Sequence, residues 1–326
     1  MRRLLLLVSV CLFVALSCSK QFERDATDKW ESVIESFNEK NDVEGEKVVF
    51  LFFTDPHLLS GNNSFSDRIR RNIVTSLSSL KELGALLPID LCICGGDWLN
   101  SGDSQDVAER KLLFADEQMK SIFPYYHKMM GNHDTNYLGT ASDGNSTSNL
   151  SQEFVNDVYF AETGSSHYSF IYSNTEFFIL DSGIDWTPAI DSDKLIQLKW
   201  LAQSLLESKC GHIVIGIHIF YNSGSIMPMS EEIVSICESF NDRSSVTIAG
   251  KEYDYSDVEG KIHIILSGHD HKDFLERIDR MPVVGTCNYM MEGTPTYDIC
   301  LLNYSLGVFD LIRVGNGNNR SGKLWM

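Results

Sequence analysis

The chain has 326 residues, of which 43% are apolar and 22% charged, the balance of an ordinary globular protein rather than a disordered one. Its formal net charge is −18. A surface so acidic argues against duplex nucleic acid as a partner, because phosphate backbones are held by basic patches. It leaves room for a small phosphorylated substrate drawn in by bound cations. No segment signals a protein partner.

Residues 1–18 read as a secretory signal: Arg2 and Arg3, then the apolar stretch Leu4 to Leu16, too short to span a bilayer comfortably, closed by Ser17-Cys18. Ala15-Leu16-Ser17-Cys18 resembles the bacterial lipobox, with Ala15 where leucine is more usual. The resemblance implies that Cys18 is lipidated and becomes the mature N-terminus. The protein is then exported and membrane-anchored, facing the periplasm or the cell surface. A plain cleaved signal, and so a secreted protein, is the alternative. Asn-x-Ser/Thr triplets at Asn62, Asn145, Asn149, Asn303 and Asn319 keep a eukaryotic secreted origin open. No second long apolar run follows, so no transmembrane helix is expected in the mature chain. Cys92, Cys94, Cys210, Cys237, Cys287 and Cys300 are scattered through apolar runs and read as small hydrophobes, not as a disulfide framework.

Residues 19–47 form a polar spacer. Trp30, Val33, Ile34 and Phe37 recur there at helical spacing, predicting a short amphipathic helix that serves as a spacer or packs on the main domain. An alternation of elements then begins. Val48 to Phe53 is a continuous apolar run of buried-strand type. Asp67 to Leu87 is helical, ended by Pro88; Ile89 to Cys94 is a strand; Ser104 to Ile122 is helical, stopped by Pro124; Tyr125 to Met130 is a strand. Residues 135–165 are rich in Gly, Ser, Thr and Asn, and Gly139 to Ser151 has the composition of a mobile lid. His167 to Tyr172 and Phe177 to Leu180 form a hairpin. A helix over Asp193 to Ser208, a strand over Ile213 to Ile217, a helix over Ser230 to Phe240 and a strand over Ile262 to Leu266 follow. Three more strands end the domain, and the tail from Gly315 reads as frayed. Strand–helix alternation followed by strands predicts a layered α/β architecture, one catalytic domain over residues 48–314 with a tail at 315–326.

Each buried strand ends in polar residues able to bind metal. Asp55 and His57 follow Phe53; Gly95-Gly96-Asp97 follows Cys94; Gly131-Asn132-His133-Asp134 follows Met130; His218 follows Ile217; Gly268-His269-Asp270-His271 follows Leu266. Ligands of open α/β sheets gather at the carboxyl ends of strands, so these ends are expected to converge. Gly131 is expected to let the chain turn sharply. The donors are nitrogen and oxygen, with no cysteine, which suits Mn, Fe or Zn rather than a thiolate-rich structural zinc. They exceed what one tetrahedral ion can use. Two divalent ions about 3.5–4 Å apart, sharing a carboxylate, fit the count.

Asp55-x-His57, Gly96-Asp97, Gly131-Asn132-His133-Asp134, His218 and Gly268-His269-x-His271, in that order, resemble the blocks of the calcineurin-like metallophosphoesterase superfamily. The resemblance covers roughly residues 48–275. It implies a β-sandwich flanked by helices, a four-layer αββα arrangement. It implies that Asp55, His57 and His271 hold one ion, that Asn132, His218 and His269 hold a second, and that Asp97 bridges both. A hydroxide between the ions would attack phosphorus. His133 would stabilise the transition state or protonate the leaving oxygen. Asp134 is read as hydrogen-bonding its loop or orienting His133, and Asp270 as supporting its neighbours or solvated. His127, His167, His212 and His263 lie outside the pattern and are read as surface or core residues.

Departures narrow the group. Phosphoprotein phosphatases continue the Gly-Asp block with Asp and Arg where Asn100 and Ser101 stand. Purple acid phosphatases place a metal-binding tyrosine at the position of Asn100. What remains resembles the bacterial small-molecule phosphodiesterases and phosphatases. Trp98, Tyr137, Tyr221 and Asn222 lie near the ligands, where aromatic rings could stack a base or sugar. The expected function is hydrolysis of a small-molecule phosphodiester or phosphomonoester. The rivals are a silent exported lipoprotein that keeps the fold as a binding or scaffold module, and a single structural metal site.

Overall fold

A computed structural model describes residues 29–57, 65–136, 150–182, 192–289 and 294–326. Cys18, Tyr137 and nearly all of the predicted lid lie outside them. Along the chain come α1 (29–41), β1 (Lys47–Phe53), α2 (Asp67–Ser76), α3 (Ser78–Leu86), β2 (Leu91–Cys94), α4 (Gln105–Ile122) and β3 (Tyr125–Lys128). After a π-helical turn at Phe154–Tyr159 come β4 (Tyr168–Tyr172), β5 (Thr175–Leu180), α5 (Ser192–Glu207), β6 (His212–Ile217), β7 (Tyr221–Asn222), β8 (Ser225–Ile226) and α6 (Pro228–Asn241). The rest is strand: β9 (Ser245–Ile248), β10 (Lys251–Asp254), β11 (Lys261–Ser267), β12 (Phe274–Ile278), β13 (Met281–Gly285), β14 (Tyr297–Asn303), β15 (Val308–Val314) and β16 (Arg320–Lys323).

Two six-stranded sheets carry the fold, one in the order β16-β15-β14-β1-β2-β3 and one in the order β12-β13-β11-β6-β5-β4. Within the first, β1, β2 and β3 are parallel. Within the second, β5, β6 and β11 are parallel. Period-2 alternation divides the side chains between layers. On β6, Val214 joins the core shared by both sheets, while Ile213, Ile215 and Ile217 join Leu198 and Leu201 of α5 and Ile233 and Ile236 of α6. Phe50 of β1 meets Phe177 of β5 edge-on across the shared core, at 5.4 Å. Ile73, Leu80, Leu83, Leu112 and Met119 cover the first sheet from α2, α3 and α4. The result is a four-layer αββα sandwich. With each buried Leu, Ile or Phe worth roughly 1.5–3 kcal/mol, packing rather than helix propensity holds these layers. Helix α1 packs on this body: Phe37 is buried, and Trp30 Nε1 donates to Glu82 of α3 at 3.0 Å.

The two sheets are stitched at one edge by a tyrosine. Strands β3 and β4 are both edge strands. The Tyr168 hydroxyl donates to the Lys128 carbonyl at 2.8 Å and accepts from the Lys128 amide at 3.1 Å, so the open backbone of β3 is satisfied by a side chain.

Three expectations need correction. The helix predicted over Asp67 to Leu87 is two helices, broken at Leu77. The Ser76 hydroxyl donates to the Ile73 carbonyl at 2.8 Å, competing with the backbone amide for that acceptor. The tail from Gly315 is not frayed. β16 pairs antiparallel with β15, Arg320 reaches Asp298 at 2.5 Å, and Trp325 is buried with its amide on the His263 carbonyl. The small hairpins β7–β8 and β9–β10 and the edge strand β12 were not anticipated; the hairpin strands are short, and β12 is largely exposed at a sheet edge. Among the described residues, no helix is long and apolar enough to cross a membrane.

Candidate metal centre

The carboxyl ends of β1, β2, β3, β6 and β11 meet at one rim, and the loops that leave them are bonded to one another. Gly95 N–H donates to Phe53 O, Asp55 N–H to Gly96 O, His57 N–H to Asp97 O, and Gly268 N–H to His218 O. These cross-loop bonds hold an unusual backbone. Asp55, His57, Asp97, His269 and His271 all adopt left-handed φ, from 44° to 71°. Non-glycine residues rarely do so, and each instance costs of order 1–3 kcal/mol. Five of the twelve described non-glycine residues with this backbone are residues singled out as ligands. Gly131 opens a tight turn as expected, its carbonyl accepting the Asp134 amide at 3.2 Å, but without a left-handed φ; glycine is needed there for close approach. A Cβ there would fall 2.1 Å from Asp97 Oδ1.

One donor set comprises Asp55, His57 and His271. His57 Nε2 is 2.9 Å from His271 Nε2 and 3.6 Å from Asp55 Oδ1, and His271 Nε2 is 3.2 Å from that same oxygen. His57 Nδ1 lies 2.9 Å from the Leu99 carbonyl, an acceptor, which fixes the proton on Nδ1 and leaves Nε2 a lone pair. The second set comprises Asn132, His218 and His269. Asn132 Oδ1 lies 3.2 Å from His218 Nε2 and 2.9 Å from His269 Nδ1. His218 Nδ1 is held by the Gly95 carbonyl at 2.6 Å, so Nε2 again points inward as an acceptor. Asp97 joins the sets: its Oδ2 is 3.2 Å from His218 Nε2 and 4.0 Å from His57 Nε2.

These atoms are acceptors aimed at acceptors. Asp55 Oδ1 and Asp97 Oδ2 are buried and make no well-aligned hydrogen bond to any described residue. The electrostatics show that the cluster calls for positive charge, whether from imidazole protons or from cations. Burial opposes charge on His218, yet Asp97 and Asp55 lift it to about 10. Burial likewise opposes ionisation of Asp55, but the His271 and His57 imidazoles hold its carboxyl well below the usual range. The pocket therefore demands positive charge. A donor–metal bond near 2.1 Å puts neighbouring donors about 3.0–3.4 Å apart in octahedral or tetrahedral geometry. Most of the separations above, at 2.9–3.2 Å, are close to that spacing, while His57 Nε2 stands further from Asp55 Oδ1 (3.6 Å) and from Asp97 Oδ2 (4.0 Å). The residues present thus fit divalent cations, and they form two donor sets around one carboxylate.

His133 stands beside both sets. Its ring is edge-on to His57 at 5.1 Å, and its backbone amide donates to Asp97 Oδ1 at 2.8 Å, which turns Oδ2 toward the donors. His133 Nδ1 is 3.0 Å from the Ser101 hydroxyl, a contact sequence reasoning missed because Ser101 stood out only as a departure from a pattern. Asp134 does not orient His133. It is fully buried and accepts the backbone amides of Asp97 (2.8 Å), Leu99 (3.0 Å) and Gly131 (3.1 Å), so it builds the loop. Burial and the nearby Asp97 push it up to about 7, against the pull of those amides. Thr54, also unforeseen, donates to Asp55 Oδ2 at 2.6 Å, which leaves Oδ1 for the centre.

Of the aromatic residues expected to face substrate, the two that are described, Trp98 and Tyr221, do otherwise. Trp98 is 0% exposed, packs on Phe53, and donates to the Tyr126 hydroxyl at 3.1 Å, so no indole face is open to a ligand. The Tyr221 ring packs against Phe220 and Phe274, and its hydroxyl donates to Glu276 at 2.6 Å. Large rings beside a buried strand end are absorbed by the core. Asn222 is half-buried in the β7–β8 hairpin. Of the other histidines, His127 is half-buried and stacks on Phe170, and His263 is buried as a core group.

A family model described as calcineurin-like phosphoesterase matches residues 48–273. No curated protein matches the sequence. Among solved structures, a dimetal phosphatase from Danio rerio is similar at a TM-score of 0.57 and 11% identity, covering 85% of this chain and 99% of that one. A purple acid phosphatase from yellow lupin (Lupinus luteus) seeds is similar at 0.53 and 14% identity, covering 86% of this chain and 54% of that one. At such identity these likenesses are of fold alone. The family match, spanning every strand end that carries a donor, places this chain in the calcineurin-like phosphoesterase family, whose metal-dependent phosphoester hydrolysis the paired donor sets are suited to serve.

Proposed function

We propose that the protein is an exported two-metal hydrolase of small phosphate esters, cleaving a phosphodiester or a phosphomonoester. Asp55, His57 and His271 would hold one divalent transition-metal ion and Asn132, His218 and His269 the other, with the Asp97 carboxylate between the two sets available to both. The ions can be Mn, Fe or Zn, since all three accept imidazole and carboxylate donors. When bound, they make water acidic near neutral pH and neutralise charge on the phosphoryl oxygens. The chain's own residues do the rest. Gly95 and Leu99 carbonyls fix the tautomers of His218 and His57. Asp134 holds the loops that set Asp97. His133 stabilises the transition state or gives a proton to the leaving oxygen. The observation that carries this reading is the pair of donor sets sharing Asp97, with buried carboxylate oxygens left unbonded at their centre. The signal at residues 1–18 supports export, and Cys18 supports a lipid anchor.

The test is a paired assay on the purified protein reconstituted separately with Mn²⁺, Fe²⁺ and Zn²⁺ and compared with a chelated control. Bis-p-nitrophenyl phosphate and p-nitrophenyl phosphate report diester and monoester cleavage. Two ions per chain and metal-dependent turnover are expected. No turnover and no bound metal would refute the hydrolase and return the fold to a binding or scaffold role. Mass measurement of the membrane-extracted protein checks the lipid on Cys18.

A further inference from the structure

We propose that Ser101 is a positioning residue for His133, its hydroxyl gripping Nδ1 so that Nε2 is presented to the leaving oxygen. This rests on the phosphoesterase reading above. The Ser101 hydroxyl lies 3.0 Å from His133 Nδ1 and 3.5 Å from the His133 carbonyl. A hydroxyl can donate to that carbonyl while accepting from Nδ1–H, or donate to an unprotonated Nδ1. It therefore holds the ring in either state and adds no negative charge beside an anionic substrate. The second ring nitrogen has no partner among the described residues, and His133 offers a nitrogen within 4.8 Å of donor atoms on His57 and Asp97.

Ser101 is itself held rigidly. It is buried, with φ 56°, a conformation that glycine would adopt at lower cost. The chain keeps a side chain there despite the strain. Two residues before it, the Leu99 amide is fixed by Asp134. Two residues after it, Asp103 is fixed through its backbone to the Asn136 side chain at 2.7 and 3.2 Å, and through its carboxylate to buried Lys111 at 2.6 Å. The hydroxyl is thus placed before substrate arrives, and orientation of this kind is worth a large factor in rate.

The step it serves is proton delivery. A water oxygen bonds to phosphorus and releases a proton to solvent. The P–O bond to the leaving group breaks with its electron pair on oxygen. That oxygen takes the Nε2 proton of His133, and the ring recovers one from solvent.

The experiment compares wild type, Ser101→Ala and Ser101→Gly, all metal-loaded, on p-nitrophenyl phosphate and 2-phenylethyl phosphate, or on the matching diesters. Nitrophenolate leaves without a proton; an alkoxide does not. We expect kcat on the alkyl ester to fall about tenfold and on the nitrophenyl ester by no more than about threefold, a fraction of what complete loss of an acid costs. KM and metal content stay unchanged. Ser101→Gly relieves the backbone, so a folding defect cannot mimic this result. Independently of turnover, the ¹⁵N signal of His133 Nδ1 in the metal-free protein shifts in Ser101→Ala, because its hydrogen bond is gone. Equal losses on both esters, or no loss, overturns the role of Ser101 alone. Absence of turnover in loaded wild type overturns the phosphoesterase reading, and an unshifted Nδ1 signal overturns the Ser101 contact in its own right.

Discussion

Replacing Gly131 by alanine tests the geometry of the centre without touching a donor. The added Cβ would lie 2.1 Å from Asp97 Oδ1, 2.3 Å from Asp97 N and 2.8 Å from Asp97 Cγ. Comfortable contact begins about 1 Å further out. Asp97 cannot yield freely, because its amide is bonded to Asp134 and its Oδ1 to the His133 amide. Gly131 has no left-handed φ, so its backbone suits alanine. Stiffening the unfolded chain would then stabilise the protein by about 0.4–1 kcal/mol. The clash opposes this with roughly 1–3 kcal/mol. The balance predicts net destabilisation of about 1–2 kcal/mol, a fall in Tm of about 2–8 °C for a domain of this size. Displacement of the shared carboxylate by about 1 Å should weaken metal binding 10–100-fold and cost about 100-fold in kcat. Thermal unfolding of the metal-free and loaded forms, with metal affinity from chelator competition, measures both. A Gly131→Ala protein that melts like wild type and keeps two ions at full affinity would refute the close-approach argument.

Other expectations follow from the same residues. His133→Ala should lower kcat by about 10²–10⁴ while metal content stays at two ions, read by elemental analysis beside steady-state kinetics; full activity would remove His133 from the chemistry. Asp97→Asn should lose both ions and turnover together, because its Oδ2 is the oxygen that neighbours both sets; retention of two ions would show that another group bridges. Burial pushes His263 down to about 4, where its Nδ1 sits against the Trp325 carbonyl and its Nε2 against His212. A histidine depressed in the folded state takes up its proton in the unfolded state first, so stability is complete above about pH 6.5 and falls toward pH 4, by up to about 3 kcal/mol. His263→Gln should flatten that part of the stability profile measured by denaturant titration, and an unchanged slope would assign the dependence elsewhere.

How the centre reads from sequence depends on what each residue needs. Asp55, His57, Asp97, Asn132, His218, His269 and His271 were legible because each follows an apolar run of strand length, and parallel strands bring their carboxyl ends to one rim. Trp98 and Tyr221 misled because nearness in sequence to a donor says nothing about which way a ring packs. Ser101 was hidden because its role is a contact between two loops 32 residues apart. Likewise β16 escaped notice: an edge strand faces solvent, so Arg320–Lys323 carries no apolar alternation.

The order of motifs determined the family, and that resemblance implied the four-layer sandwich; the periodicity of the strands gave a layered α/β architecture, and residue kind gave the chemical type of the centre. Tertiary structure alone decided which imidazole nitrogen faces inward, because the Leu99 and Gly95 carbonyls that set it come from distant loops. It also decided that five donor residues take left-handed backbones, because bonds between loops, not the residues' own preferences, offset that strain.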